Sequence, residues 1–301
     1  MKSPASLGDT EVRDDNLHVV SGMHVVLRDV AAGIGVALSS GILDRQRWKV
    51  QNKNRRIPRA MRQFVEKHED TVVPERESIM EPEVLIPCFN QGVYMESALS
   101  SINQSVPITV INDASTDRTA EELETLSRKY AIKVISNDRN LNQAGSLNRA
   151  ISESSNNLFI ILNADDCFLP YTISATLSVL EDYPSVYLSG GGAIPFSRDE
   201  SLRLLRELPA RLSYTPKPRI YSRKDALTYH HLNDLNMTMS GCAFFKSAWR
   251  AAGGFREFRE RVCSYDDRDF QMRVSALVDV GVVEEPLALY RVNSSAGKSQ
   301  S

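Results

Sequence analysis

The order of apolar and helical segments after residue 81 predicts an α/β fold with a doubly wound, mostly parallel sheet and helices on both faces. Four short apolar runs are predicted to be strands, at residues 84–87, 108–111, 132–135 and 158–162. Each is followed by a segment with helical spacing, at 94–104, 117–130, 144–152 and 169–182. This alternation is typical of parallel strands joined by right-handed crossovers. Apolar runs at 186–188, 239–245, 280–283 and 288–292 are expected to complete the sheet, with the three glycines at 190–192 in a loop.

The first 80 residues differ from the rest, because they show helical patterning without alternating strands and turns. We expect a helical, partly irregular N-terminal extension over residues 1–80, followed by one domain over residues 81–301. Between Arg45 and Arg62 the extension carries eight Arg or Lys residues and no acid. Such a run is either a solvated face or a surface for an anionic membrane or a polyanionic substrate, and the pattern leaves both open.

The composition is that of a soluble globular protein, with 42% hydrophobic and 25% charged residues. A formal net charge of −2 gives no reason to expect nucleic acid as a partner. The four cysteines lie far apart in the chain, which favours free thiols in a reducing, cytoplasmic compartment. No apolar signal segment is visible at the start, and the longest uncharged stretch there, residues 30–43, is too short to span a bilayer.

Three acidic or amide-rich clusters are expected to follow buried strands. They are Asn-Asp-Ala-Ser-Thr-Asp at 112–117, Asn-Ala-Asp-Asp at 163–166 and Ser-Tyr-Asp-Asp-Arg-Asp at 264–269. In an open α/β sheet, ligands bind outside the carboxyl ends of the strands, so carboxylates gathered there favour a metal-dependent site. The pair Asp165 and Asp166 follows an apolar strand directly, where buried carboxylates are costly without partners. That pair is therefore the least easily explained by structure alone.

Taken in order, these residues resemble an inverting family 2 glycosyltransferase with the GT-A fold, an enzyme class that uses nucleotide-sugar donors. The resemblance covers about residues 82–292. It rests on Leu-Ile-Pro-Cys-Phe-Asn at 85–90, the cluster at 112–117, Asn-Arg-Ala-Ile at 148–151, Leu-Asn-Ala-Asp-Asp at 162–166 with Leu-Pro at 169–170, Ser-Gly at 240–241, Gly-Gly-Phe at 253–255, Asp-Asp at 266–267 with Arg273, and Leu-Tyr-Arg at 289–291. It implies a nucleotide-binding half at about 81–190 and an acceptor-binding half at about 191–301.

The resemblance assigns the donor site to residues near the strand ends. Asp113 would accept the N–H of a uracil or similar base, and helix capping is the alternative for this acid, whereas Asp117 is assigned mostly to capping. The loop after the first strand would line the nucleotide pocket, or form only a strand-ending proline turn. The residues assigned to nucleotide-sugar binding are Pro87, Phe89, Asn90, Asp113, Asn148, Asn163, Ala164, Asp165 and Gly241. For Ser240-Gly241, plain turn chemistry is the alternative.

The resemblance also implies a divalent metal, Mn²⁺ or Mg²⁺, at the family's D-x-D-type motif. Here Asp165 and Asp166 match that motif, with Asp166 expected to be the better direct ligand, and Asn163 occupies the first position. The metal would join carboxylate oxygens to the diphosphate and stabilise it as it leaves. Where the family often carries a histidine after Tyr290-Arg291, this chain has Asn293. His230-His231 is not expected to bind metal, because adjacent residues face different ways.

The acidic pair at 266–267 matches the catalytic acids of the family. Asp267 would be the general base, and Asp266 would bind the acceptor or orient the loop. An inverting transfer needs a carboxylate that removes the acceptor hydroxyl proton, and positioned acid–base groups contribute roughly 10²–10⁴-fold. The alternative is N-capping of the predicted helix at 267–276.

We therefore expect an inverting, metal-dependent transferase with a UDP-linked or related sugar donor and a saccharide, lipid-linked or other hydroxyl acceptor. A catalytically weak or inactive sugar-nucleotide-binding homologue is the main alternative, since Asn112, Asn163 and Asn293 replace commoner acids or a histidine. A nucleotidyltransferase is disfavoured because residues 85–92 lack a Gly-rich loop with Arg or Lys. The expected location is cytoplasmic, with peripheral contact at the inner face of the membrane through residues 45–62 left open.

Overall fold

The structure is a computed structural model that describes residues 59–68, 70–72, 76, 78, 81–196, 218–225, 235, 237–257 and 266–292. All of these residues belong to one compact unit, Lys49–Ser301. The basic run before residue 59, the pair His230-His231, Cys263 and Asn293 lie outside the described residues. Within the described ranges, no helix has the length and apolar character needed to cross a membrane. The boundary predicted near residue 80 stays a prediction.

Strands and helices alternate from residue 83 to residue 182, as predicted. Helix α1 (Arg59–His68) comes first, followed by β1 (Glu83–Cys88), α2 (Gly92–Ser100), β2 (Ile108–Asn112), α3 (Thr119–Ser127), β3 (Ile132–Ser136), α4 (Asn142–Glu153) and β4 (Leu158–Ile161). The two-residue strand β5 (Cys167–Phe168) and helix α5 (Thr172–Asp182) complete this half. The first of the four predicted helices, expected at 94–104, is α2, which begins at Gly92 and ends at Ser100.

The second half contains β6 (Val186–Phe196), β7 (Arg219–Tyr221), a single 3₁₀ turn (Arg223–Asp225), β8 (Ala243–Phe245), α6 (Lys246–Ala251), α7 (Asp266–Ser275) and β9 (Asp279–Arg291). Two predictions are wrong here. The glycines at 190–192 lie inside β6 rather than in a loop, and the two predicted final strands form the single strand β9. A Cβ atom on Gly191 would lie 2.9 Å from the carbonyl oxygen of Glu285, so glycine permits the close approach of β6 and β9.

The described strands form one mixed sheet in the order β3-β2-β1-β4-β8-β6-β9-β5, with β7 paired to β9. Strands β1, β2, β3 and β4 pair in parallel, and β6 pairs in parallel with β9 over the longest register. Strand β8 is antiparallel to both β4 and β6. The predicted α/β class with a mostly parallel sheet is confirmed. As a consequence, the carboxyl ends of β1, β2 and β4 meet at one edge.

An aromatic cluster fixes α7 to the middle of the sheet. The Phe244 ring centroid lies 6.2 Å from that of Phe159 and 5.1 Å from that of Phe270. Phe255, in the loop before α7, lies 4.1 Å from Phe270 between ring centroids. The Phe159, Phe244 and Phe270 rings are almost fully buried, and side chains of this size contribute strongly to core stability. The helix that begins with Asp266 is thus held against the strands that carry the other acids.

Candidate functional site

The loops after β1 and β2 are joined into one rim. The backbone N–H of Asn90 donates to Ser115 Oγ at 3.0 Å, and Asn90 Oδ1 accepts the N–H of Thr116 at 2.8 Å. Asn112 Oδ1 accepts the N–H of Ser115 at 3.0 Å, which closes the turn after β2. Asn90 and Ala114 both adopt positive φ angles, 53° and 55°. The amides of Asn90 and Asn112 therefore shape the rim.

Two other residues of the predicted nucleotide loop occupy different environments. Pro87 is a buried member of β1 and pairs with Ile111 of β2. Phe89 is half-buried and lies just beyond the strand end. Phe89 is thus better placed than Pro87 to meet a ligand with its side chain.

Asp113 lies directly after β2 and is only 3% exposed. Its Oδ1 accepts the side-chain amide of Asn137 and the backbone N–H of Leu141, each at 2.7 Å. These contacts join it to the segment after β3 and not to the start of α3. The capping role falls to Asp117, whose Oδ1 accepts the N–H of Thr119 at 2.9 Å. Within the described ranges, Oδ2 of Asp113 accepts no hydrogen bond.

An open cleft adjoins Asp113. It has a volume of about 480 Å³ and is lined by Asn137, Asp138, Arg139, Leu141 and Arg149. Arg149 Nη1 donates to Asn137 Oδ1 at 2.7 Å, and Asn137 in turn donates to Asp113. Sequence reasoning missed Asn137, although a polar residue directly after the third strand was the available signal. The chain of hydrogen bonds orients Asp113 relative to the cleft.

Asp166 is the most enclosed acid of the predicted site, at 2% exposed. Its Oδ2 accepts the hydroxyl of Ser240 at 2.6 Å and the amide of Asn163 at 3.3 Å, and its Oδ1 accepts the backbone N–H of Arg291 at 3.0 Å. Burial raises the pKa of this carboxyl to about 6, against the lowering effect of these donors. Both carboxylate oxygens are therefore engaged by the protein, which argues against the predicted role of Asp166 as the better metal ligand.

Asp165 has a different environment one residue earlier. Its side chain is half-buried, and among the described residues nothing donates a hydrogen bond to its carboxylate. Its backbone oxygen accepts Arg291 Nε at 2.9 Å. Burial raises the pKa of the Cys88 thiol at the end of β1 to about 12, and the negative charges of Asp117 and Asp165 add to that shift. Asp165 therefore lies close to the end of β1.

Arg291 ties the last strand to the acidic pair. Its guanidinium carbon lies 4.5 Å from the ring centroids of both Tyr94 and Phe196, so the cation is held between two aromatic faces. Its backbone and side chain meet Asp166 and Asp165, respectively. The motif residue Arg291 thus fixes the geometry of the turn after β4.

Asn163 and Ala164 complete that turn. Asn163 Oδ1 accepts a hydrogen bond from Gln143 Nε2 of α4 at 3.1 Å, while the side-chain nitrogen of Asn163 donates to Asp166 Oδ2. Ala164 is fully buried. In this structure, the amide that replaces the first motif acid supports Asp166 and links it to α4.

Gly241 lies in the turn before β8 with a φ of +87°, which favours glycine. A Cβ atom there would lie 2.9 Å from Leu287 Cβ, and the N–H of Gly241 donates to Ile161 of β4 at 2.9 Å. The same turn presents Ser240 to Asp166. These contacts support the turn-chemistry interpretation of Ser240-Gly241.

Asp266 and Asp267 form the first turn of α7. Burial raises the pKa of both carboxyls above the usual 3.8. Burial raises the pKa of the Cys242 thiol, and the negative charge of Asp267 raises it further, which indicates that the two side chains lie near each other. Cys242 directly follows the Ser240-Gly241 turn, so α7 brings Asp267 to the neighbourhood of the strand-end acids. Within the described part of the chain, neither carboxylate accepts an N–H two or three residues later, as an N-cap would.

Asn148, which the sequence assigns to nucleotide-sugar binding, has a side-chain amide that bonds to Trp249 and Phe255. Its Oδ1 accepts Trp249 Nε1 at 3.0 Å and the N–H of Phe255 at 2.8 Å, and its nitrogen donates to the Phe255 carbonyl at 2.8 Å. These three bonds clamp α4 to α6, through Trp249, and to the loop before α7, through Phe255. Its position in the Asn-Arg-Ala-Ile motif is explained by this clamp.

A mixed sheet with this strand order, carrying acids after β2 and β4 and a third acid pair on a helix beside them, defines the GT-A class of glycosyltransferase folds. The sequence matches the family described as glycosyl transferase family 2 over residues 83–247, more than half of the chain. The chain belongs to this family.

Curated relatives and solved structures agree with that assignment. The chain is 28% identical over 122 residues to a dolichol-phosphate mannosyltransferase of Pyrococcus furiosus, covering 37% of this chain and 35% of the relative. It is 26% identical over 211 residues to the putative glycosyltransferase EpsE of Bacillus subtilis, covering 69% and 70%. The chain thus spans about a third of the first of these relatives.

The fold is similar to that of residues 1–349 of S. aureus TarS. The TM-score is 0.53 at 18% identity, covering 70% of this chain and 60% of that chain. The same protein in complex with UDP-GlcNAc gives a TM-score of 0.53 at 16% identity, covering 72% and 60%. At such low identity the likeness establishes the fold alone.

Proposed function

We propose that this protein is an inverting glycosyltransferase that moves a sugar from a UDP-linked donor to an acceptor hydroxyl with the help of a divalent metal. One observation carries the proposal. Asp113 and Asp165 follow β2 and β4, the two parallel strands on either side of β1, and Asp267 approaches from α7 near Cys242. The three acids differ in burial and partners, which suits three separate roles.

Asp113 is proposed to bind the nucleobase. Its Oδ1 is held by Asn137 and Leu141, so the carboxylate orientation is fixed before any ligand arrives. Its Oδ2 would accept the imide N–H of uracil, a charge-assisted hydrogen bond. The adjoining cleft of about 480 Å³ would take the base and ribose. The TarS complex with UDP-GlcNAc shows that a protein of this fold binds such a donor.

Asp165 is proposed to be the direct metal contact, in place of Asp166. A Mg²⁺ or Mn²⁺ ion bound with a nucleotide usually takes one or two carboxylates and fills its remaining positions with phosphate oxygens and water. The half-buried Asp165 carboxylate, which accepts no hydrogen bond among the described residues, would supply one such ligand. When bound, the ion would neutralise charge on the leaving diphosphate.

Asp267 is proposed to be the general base. The acceptor oxygen forms its bond to the anomeric carbon as the bond from that carbon to the diphosphate oxygen breaks, and the hydroxyl proton passes to the Asp267 carboxylate. Attack from the face opposite the diphosphate inverts the configuration. A carboxyl whose pKa burial has raised is a better proton acceptor than an exposed one, because the ideal base has a pKa near the working pH. Asp266 would orient the first turn of α7 or contact the acceptor.

A transfer assay tests the proposal. The protein is incubated with UDP-GlcNAc or UDP-glucose, Mn²⁺ and a panel of saccharide acceptors, while UDP release is measured and the new linkage is assigned by NMR. We expect β-linked product from the α-linked donor, and at least tenfold slower transfer by Asp267→Asn. Asp182→Asn, an exposed acid at the end of α5, is the matched control. An α-linked product would contradict inversion, and wild-type turnover in Asp267→Asn would remove that residue as the base. Nucleotide binding with no turnover would instead favour the sugar-nucleotide-binding alternative.

A further inference from the structure

The segment before the family domain is bound to the domain at several points. We call residues 59–78 the strap, of which 59–68, 70–72, 76 and 78 are described. The strap lies outside the family match, which begins at residue 83. At its end nearest β1, Arg76 Nη1 donates to the carbonyl of Leu180 at 2.6 Å, close to the end of α5, and the Arg76 guanidinium lies 5.1 Å from the Phe245 ring centroid. The carbonyl of Ser78 accepts the side-chain amide of Asn157 at 3.0 Å. This end is therefore fixed to α5 and to the start of β4.

The other end of the strap packs on α7. Helix α1 contacts α7 directly, and Phe64 packs in a half-buried position against the core cluster that includes Phe270. The Phe64 ring also stacks on His68 at 4.2 Å between centroids. Further along, the carbonyl of Thr71 accepts Arg223 Nη1 at 3.3 Å, and the same nitrogen donates to Leu277, just after α7 ends. The strap thus contacts α7 through α1, and Arg223 links Thr71 of the strap to Leu277, just beyond the end of α7.

A series of charged contacts continues from Phe64 to the first turn of α7. The guanidinium of Arg256 lies 6.0 Å from the Phe64 ring centroid, and its Nη1 meets Asp269 Oδ1 at 3.2 Å. The other oxygen of Asp269 meets Arg273 Nε at 2.7 Å. Asp269 is two residues beyond Asp267 on the same turn. Arg273 is 1% exposed and donates to the carbonyls of Ala252 and Gly254, so this end of the series is fixed in the core.

We propose that the strap is a positioning element of the reaction, with Phe64 as the residue that anchors α7 and so sets the place of Asp267. The inference rests on the proposed role of Asp267. Positioning to within about 1 Å matters because misplacement of that size can cost on the order of 10²-fold in rate. The acids assigned to the donor nucleotide follow β2 and β4, and the described strap residues make no hydrogen bond to them. Loss of Phe64 should therefore slow transfer without weakening nucleotide binding.

The test compares Phe64→Ala with the rescue variant Phe64→Trp and with Val72→Ala, a control in the same strap at a side chain that is 87% exposed. Hydrogen exchange of the α7 backbone amides reports how firmly the helix is held, because it measures local opening, and it needs no activity. We expect these amides to exchange about tenfold faster in Phe64→Ala, while those of α3 keep their wild-type rates. We also expect kcat to fall about fivefold or more, with an unchanged UDP dissociation constant and recovery in Phe64→Trp.

A double-mutant cycle with Arg256→Met tests the path. Phe64 acts on Asp269 through Arg256, so the two substitutions break the same path. The double variant should therefore lower kcat by less than the product of the two single-variant factors. Unchanged α7 exchange in Phe64→Ala would overturn the proposal, and so would faster exchange with wild-type kcat. If Phe64→Ala lowers the global stability but keeps the wild-type kcat at temperatures well below its Tm, the role of Phe64 is merely structural. If the wild-type protein transfers no sugar at all, the proposed function fails, whereas α7 exchange still decides whether the strap holds the helix.

Discussion

Replacement of the two adjacent acids after β4 should separate a structural carboxylate from a functional one. Asp166 is enclosed and accepts hydrogen bonds from Ser240, Asn163 and Arg291, whereas the Asp165 carboxylate accepts none among the described residues. We predict that Asp166→Ala destabilises the fold strongly. We predict that Asp165→Ala leaves the fold intact and abolishes the metal-dependent part of nucleotide binding.

The size of the Asp166 effect follows from opposing contributions. Each hydrogen bond to a charged group contributes about 1.5 kcal/mol net, and each buried donor left without a partner costs about 1 kcal/mol more. Against this, burial disfavours the ionised carboxyl and raises its pKa from 3.8 to about 6 even with these donors in place, and alanine removes that cost. The net loss is about 4 kcal/mol, similar to the removal of one partner from a buried ionic network. For a unit of this size the Tm should fall by about 12 °C.

Differential scanning calorimetry in EDTA measures the stability of both variants, and UDP titration with and without Mn²⁺ measures the binding. Asp165→Ala should lie within about 2 °C of the wild type, because a half-exposed side chain without partners contributes little to stability. An unchanged Tm in Asp166→Ala would refute the reasoning, and so would a larger loss in Asp165→Ala than in Asp166→Ala.

Three further substitutions follow from the site. Asp267→Asn should keep the wild-type nucleotide affinity, and wild-type kcat/KM should fall as the pH is lowered through a value above 3.8, because burial favours the protonated carboxyl that cannot accept a proton. An acid limb at or below 3.8 in the pH–rate profile would contradict this. Asp113→Asn should weaken UDP binding about tenfold by calorimetry through loss of a charge-assisted hydrogen bond, and unchanged affinity would exclude the nucleobase role. Gly241→Ala should lower the free energy of unfolding by about 2 kcal/mol in urea, since φ is +87° and Leu287 lies 2.9 Å from the new Cβ. An unchanged urea midpoint would show that the turn adapts without strain.

Local patterns predicted the first half of the fold well, because each strand and helix there has its own periodicity and adjacent partner. They failed at residues 190–192, where glycines suggested a loop. The strand is extended because β9 approaches closely and needs the space that Gly191 leaves beside Leu287. Such a contact joins segments almost a hundred residues apart, so no local window could show it.

The candidate site, like the fold, could be predicted from the sequence only in part. The positions of Asp113 and Asp165 follow from the rule that strand ends meet at one edge, and a single sequence suffices for that. The difference in burial between Asp165 and Asp166 cannot be predicted in this way, because it depends on Ser240, in the turn before β8, and on Arg291, at the end of β9. Asn148 likewise resembled a ligand residue in the motif but meets Trp249 and Phe255.

The central claim is that the strand-end acids bind a nucleotide sugar together with a divalent metal. A thermal-shift measurement with UDP-GlcNAc, in Mn²⁺ and in EDTA, tests it most directly on the wild-type protein and on Asp165→Ala. A ligand at 100 times its dissociation constant stabilises a protein by about 2.7 kcal/mol, which corresponds to a rise of about 8 °C here. We predict that rise for the wild type in Mn²⁺ and its absence in EDTA and in Asp165→Ala. If neither UDP-GlcNAc nor any other nucleotide sugar raises the Tm of the wild type under either condition, the claim is contradicted.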